Sequence, residues 1–332
     1  MVTYPSQQRQ AVQTRERLIS RLEEWLYRLL IVPLVAFLPA PLAYGIACQR
    51  GNWRYHLDTS LREQIMCNLV SVLGDQLSEA ERTRVARDYF RRRSCEAIDV
   101  MRLAGKGRAL ARLVEIRGLE HIEAALAAGK GVLLCSLHSG SFNRGFSLIG
   151  ACGFPVTVVG DWRSHTAAHM SPVQRFLWRL LHEKQLTRHR RRPNIEPEME
   201  RGGAAMRMVE VLRANEVIAM GIETPVAAED RARAIPVDFL GRRMLLLTGS
   251  TDVARLTGSP LLLLVMRRQA DWRHQVLEIS PPIAQDEDIA TTFRHCIKML
   301  EMSVRQNPAY WDWLVNVQDL LEPGLLEAQR AV

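Results

Sequence analysis

The sequence contains no CxxC pair, no internal repeat and no Gly/Ser linker, and aromatic residues make up only 6% of its 332 positions. Its six cysteines (Cys48, Cys67, Cys95, Cys135, Cys152 and Cys296) are scattered, mostly among apolar neighbours. That spacing speaks against both a zinc site and a disulfide framework and leaves them as reduced core residues. Lysine is scarce: nearly all of the 44 basic residues are arginine, and the net charge is +8. Arginine favours bidentate contact with phosphates and carboxylates, so anionic partners are expected. The arginine clusters lack interleaved aromatics or any reading module, which argues against nucleic acid. The first 24 residues are polar and charged with no apolar h-region, so no cleavable signal peptide is expected and the chain is read as cytoplasmic.

One stretch is poor in charge instead. Leu29 to Cys48 has no ionisable Asp, Glu, Lys or Arg, close to the ~20 apolar residues that cross a bilayer. Pro33, Pro39 and Pro41 each remove a backbone donor that hydrocarbon cannot replace. A bent, membrane-inserted or interfacial hairpin is therefore expected, with a single span or a kinked core helix as alternatives. Trp25, Tyr27, Arg28, Arg50, Trp53, Arg54 and Tyr55 flank it as headgroup-level anchors.

With 47% hydrophobic composition the chain can build a large core. Leu61, Ile65, Leu69 and Leu73 predict one helix, and Ser78 with Glu81 forms the capping box of a second, Ser78 to Leu103. Arg84, Arg87, Arg91, Arg92 and Arg93 are expected to give that helix a basic face toward solvent or membrane, and Arg117-Gly118 to end the helical section. Helices are then predicted at His121 to Ala128, Asn143 to Cys152, Ser171 to Leu181, Gly203 to Arg213 and Thr248 to Thr257. Strands are predicted at Val132 to Leu137, Pro155 to Val159, Val217 to Ile222 and Leu261 to Met266, with Val276 to Ile279 as an edge strand. Strands alternating with helices predict an α/β fold: a mixed, mostly parallel central sheet flanked by helices, with loops at strand ends carrying the site. The expected organisation is a membrane-associated anchor over 1–58, a helical section over 59–105 and the α/β domain over 106–325. The run Arg188 to Arg192 is either solvated surface or a phosphate-gripping loop.

The residue richest in chemical promise is His138, where the buried run Val132 to Leu137 gives way to Ser139-Gly140-Ser141-Phe142-Asn143. An imidazole at a strand end with an amide five positions on meets the minimal needs of a general base held by a partner. A packed or surface histidine is the plain alternative.

Taken with the apolar N-terminal stretch, Asn68-Leu69, Leu77 to Arg82, Val237-Asp238-Phe239-Leu240-Gly241, Thr248-Gly249, Arg255 to Pro260 and Tyr310-Trp311-Asp312-Trp313, the segment around His138 resembles the lipid A late acyltransferases, a branch of the lysophospholipid acyltransferase superfamily. The resemblance implies a glycerolipid acyltransferase-like fold with an N-terminal helical membrane anchor. It implies acyl transfer from an acyl carrier protein or acyl-CoA thioester to a lipid or glycolipid hydroxyl, at the cytoplasmic face of a bacterial inner membrane. No metal and no cofactor are implied. His138 would be the base, with backbone N–H groups at the following helix start holding the oxyanion and Ser139 and Gly140 lining the substrate site. The family has Asp or Glu five positions after the histidine, where this chain has Asn143. An amide can fix the tautomer but cannot offset an imidazolium charge, so a catalytically impaired lipid-binding member, or transfer to a different acceptor, stands as the alternative. Glu223 is a candidate replacement carboxylate, or a surface residue. Arg163 falls where the family carries an arginine suited to an anionic acceptor, unless it simply pairs with Asp161. Asp238 and Gly241 match a turn expected to shape the pocket.

Overall fold

Long apolar runs can be buried on both faces only at the centre of a sheet, and that is where β2 (Val132–Ser136) lies, every residue buried. The computed structural model describes residues 23, 26–105, 112–160, 193–195 and 203–321. Six strands form one mixed sheet in the order β1 (Val114–Arg117), β8 (Gln275–Ile279), β7 (Leu261–Arg268), β2, β4 (Val217–Gly221), β3 (Val156–Val159). The four strands β7, β2, β4 and β3 run parallel, while β8 is antiparallel to β7 and parallel to β1. Leu133 and Cys135 feed one core, and Val132 and Leu134 feed the other on the opposite face.

Helices cover both faces. Before the sheet come α1 (Val32–Ala36), α2 (Ala40–Leu57), α3 (Thr59–Leu73) and α4 (Glu79–Gly105). The capping box at Ser78 forms as expected, Ser78 N–H and Oγ both bonding Glu81. Within the α/β part, α5 (Leu119–Ala127), α6 (Phe142–Ala151), α7 (Gly203–Arg213), α8 (Gly249–Thr257) and α9 (Ile289–Gln306) follow, and the chain then passes through short 3-10 turns at Pro308–Tyr310, Asp312–Leu314 and Val317–Asp319. A separate hairpin of β5 (Ile235–Phe239) and β6 (Arg242–Leu246) turns at Leu240 and Gly241, whose φ of 53° and 74° suit a tight two-residue turn.

Four sequence expectations are corrected. The helical membrane anchor implied by the resemblance, with a single span as one alternative for the uncharged run, is not matched: among the described residues no helix is long and apolar enough to cross a bilayer. The chain breaks at Pro39, which has extended ψ of 141°, and α1 and α2 bury Val32, Val35, Ala43, Tyr44 and Ala47 against Cys95, Ala97 and Ile98 of α4. The segment before Gly118 ends in strand β1, not helix. The strand at 276–279 is interior to the sheet, since β1 caps it. Finally, the arginines of α4 do not share one solvent face: Arg92 is fully buried, paired with Glu96 and with Asp312. The predicted helix at 171–181 and the basic run at 188–192 lie outside the described residues.

Candidate active site

Parallel neighbours β2 and β4 end side by side, Ser136 paired with Gly221, and the Ile222 N–H donates to Ser136 O at 3.0 Å to extend the ladder by one step. Each chain then continues for two residues beyond its strand, one to His138 and the other to Glu223. The carboxylate is buried and grips the histidine twice. Its Oε1 accepts the His138 main-chain N–H at 2.5 Å, and its Oε2 lies 3.1 Å from Nδ1. Phe142 and Trp313 meet the imidazole edge-on, with centroid distances of 4.7 and 5.8 Å, and Gly221 lies beneath it without a side chain to intrude. Fixed on these sides, the ring keeps 24% of its side-chain surface accessible.

A carboxylate facing Nδ1 favours the tautomer with the proton on that nitrogen, leaving the Nε2 lone pair able to accept a proton. Burial works against the charged ring, but the charge and hydrogen bonds of Glu223, with a smaller contribution from Asp312, outweigh it and hold the imidazole above its ordinary pKa. A stronger base results, with its cationic form stabilised by the neighbouring carboxylate.

The other predicted residues fall in different places. Asn143 is the second residue of α6, and among the described residues its side chain makes no hydrogen bond to His138; its main-chain oxygen accepts from Ser147 Oγ. The expected His138–Asn143 pairing is therefore replaced by His138–Glu223. Ser139 and Gly140 do flank the ring in the chain, but their amides are committed, Ser139 N–H to Leu137 O at 2.7 Å and Gly140 N–H to Tyr310 O at 2.6 Å. Gly140 has φ of 62°, and a Cβ there would lie 2.6 Å from Met266 O. Its role is close packing. What remains for an oxyanion is the start of α6 itself, which the Ser141 side chain leaves uncapped. Asp238 is exposed in β5, in register with Arg243, between buried Val237 and Phe239. Arg163 and Asp161 lie outside the described residues.

Sequence reasoning gave no role to the segment that closes the site. Trp311 is fully buried and its Nε1 donates to Glu223 Oε1 at 3.4 Å, while Trp313 Nε1 donates to Glu223 O at 3.1 Å. The Asp312 N–H donates to His138 O at 2.7 Å. Behind α6 sits a buried polar cluster: Asp99 of α4 pairs with Arg144 and Arg268 and accepts the Tyr44 hydroxyl at 2.5 Å, and Arg144 also bonds Gln275. The run Tyr310 to Trp313 was conspicuous in the sequence, yet nothing local ties it to site residues 88 or more positions away.

Comparison with known proteins identifies the family of the chain. The model of the family described as bacterial lipid A biosynthesis acyltransferase matches residues 10–317. A lipid A biosynthesis acyltransferase of Haemophilus influenzae is 23% identical over 286 residues, 86% of this chain and 84% of that protein. A lipid A biosynthesis lauroyltransferase of Escherichia coli is 24% identical over 288 residues, 85% of this chain and 86% of that one. The strand-end histidine thus stands in a chain that belongs to the bacterial lipid A biosynthesis acyltransferase family and is an acyltransferase.

Proposed function

We propose that this acyltransferase moves a fatty acyl chain from a thioester, carried by acyl carrier protein or CoA, to a hydroxyl of lipid A or a related glycolipid, with His138 as general base. The observation that carries the reading is the 3.1 Å contact between His138 Nδ1 and Glu223 Oε2 at the ends of adjacent parallel strands. As the acceptor oxygen attacks the thioester carbonyl, its proton passes to Nε2. The new C–O bond forms, the C–S bond breaks, and the proton goes on to the departing thiolate. The α6 start faces the developing oxyanion with its unsatisfied amides and positive dipole end. Asn143 does not count against activity, because the charge that an amide cannot supply comes from Glu223. That removes the main motive for reading the protein as an impaired lipid binder.

Delivery of a lipid acceptor calls for a surface on the bilayer, and we infer that α1 and α2 provide it. Leu34, Phe37, Leu42, Ile46 and Trp53 are exposed there, an apolar patch that water alone does not explain. The cytoplasmic face of a bacterial inner membrane is the setting that fits both the donor thioester and the family.

The test is direct. Purified protein in detergent, given dodecanoyl acyl carrier protein or dodecanoyl-CoA and an under-acylated lipid A glycolipid, should yield an O-acylated product by mass spectrometry. Replacement of His138 by Ala should abolish it; undiminished turnover by that variant would remove the proposed mechanism.

A further inference from the structure

Two groups of contacts converge on the Tyr310–Trp313 segment. On one side it touches the site: Tyr310 O receives the Gly140 N–H, the Asp312 N–H meets His138 O, and the two indoles bond Glu223. On the other side a single ion pair joins it to α4, Asp312 Oδ1 with Arg92 Nη1 at 2.7 Å. Arg92 is wholly buried, stacked 5.0 Å from the Tyr89 ring centroid, and shared with Glu96, which also accepts from Ser141 Oγ at 3.4 Å immediately before α6. A buried guanidinium with two carboxylates is costly to desolvate and gains little stability over an apolar replacement. Its placement is better explained by what it aligns.

We propose that Asp312, gripped by Arg92, is a positioning residue of the acyl-transfer site: the ion pair seats the segment that holds the His138 main chain and both sides of Glu223, and so sets the imidazole against its carboxylate. The inference rests on His138 being the base. Among the described residues, the charged groups acting on the ring are Glu223, from the end of β4, and Asp312, with Arg92 and Glu96 of α4 behind Asp312. Phe142 and Trp313, which also pack on it, carry no charge.

The experiment compares Asp312→Asn, Arg92→Met and Arg92→Lys in purified full-length protein. Readouts are kcat and KM with dodecanoyl acyl carrier protein and an under-acylated lipid A glycolipid, thermal midpoint, and NMR titration of the His138 ring. Asp312→Asn keeps volume and main-chain bond, so it should fold, keep KM within about twofold and lose roughly ten- to a hundredfold in kcat. It should also move the His138 titration to lower pH. Arg92→Met, which unseats Asp312, should likewise lower kcat and move the titration to lower pH, and Arg92→Lys should restore most of the wild-type behaviour. Recovery with lysine, which restores the cation facing Asp312, separates loss of the ion pair from general loosening of the fold. The proposal is overturned if Asp312→Asn leaves both kcat and the titration unchanged, or if its kcat falls only in step with the thermal midpoint while the titration stays put. Full turnover by His138→Ala would instead sink the reading of His138 as base, and the titration would still report whether Asp312 acts on the ring. Should Arg92→Met fail to fold, Asp312→Asn decides alone.

Discussion

The imidazole of His138 lies directly on the Cα of Gly221: a methyl group at that position would fall 2.4 Å from Cε1 and 2.9 Å from each ring nitrogen. Such distances are inside van der Waals contact, so an added side chain must displace the ring or the strand. Gly221→Ala is predicted to reduce kcat/KM about a hundredfold, since misplacement by about 1 Å suffices for that. Overpacking at one such site costs about 1–3 kcal/mol, so the thermal midpoint should fall by only a few degrees. Turnover and calorimetry on one preparation separate the two effects.

Glu223 and Asn143 should differ sharply on substitution. Glu223→Gln keeps the shape but removes the charge that supports the imidazolium, and a loss of at least about a hundredfold in kcat is expected. Asn143→Ala, which breaks no bond to the ring, should cost less than about tenfold. The pH dependence has a definite sign. The His138 pKa is raised, so the ring stays protonated, and unable to act as a base, up to a higher pH; turnover rises as pH passes through that raised value. Removing the Glu223 charge should move this acidic limb to lower pH, and a limb that shifts upward or not at all would contradict the assignment.

Asp99 offers a stability test away from the chemistry. It is fully buried between Arg144 and Arg268, and although burial alone would raise its pKa, the two guanidiniums hold it below the ordinary carboxylate value. A depressed folded-state pKa means that its contribution is complete above the unfolded-state value of about 4 and is lost as pH falls through the folded-state value. Asp99→Asn should destabilise the protein by about 3–5 kcal/mol at pH 7, because two buried cations lose their counter-charge. Chemical denaturation at pH 7 and again below pH 4 should show the gap between variant and wild type narrowing in acid.

On the apolar face of the N-terminal helices, Leu42, Ile46 and Trp53 project without covering partners among the described residues. Replacing all three with serine should leave the circular dichroism spectrum intact and strongly reduce sedimentation with phospholipid vesicles. Burying each large apolar side chain contributes about 1.5–3 kcal/mol, so losing three weakens binding by orders of magnitude. Equal sedimentation of wild type and triple variant would place the bilayer contact elsewhere.

Much of this architecture is legible in the chain itself. The helix Gly203–Arg213 has the predicted limits, and β2, β4 and α8 fall within a residue of theirs, because their apolar periodicity and glycine boundaries are strong. Strand β1 escapes because its four residues alternate too briefly to register, and the β5–β6 hairpin because Leu240-Gly241 is not a typical turn pair. His138 is readable from its strand-end setting, and Glu223 emerges as a candidate from its place at the end of another strand together with the family resemblance, in which an acidic residue is common in this region. The choice between Glu223 and Asn143 is not available locally. It depends on β4 lying next to β2 in register, so that the two strands end side by side.

That register has a further consequence. His138 and Glu223 are separated by 85 positions and approach only when two parallel strands, joined through the intervening α/β units, have zipped together. A chain still emerging from the ribosome has His138 long before it has Glu223, and in that interval it carries an ordinary imidazole. On the proposed mechanism, the complete base therefore exists only once the two strands have paired.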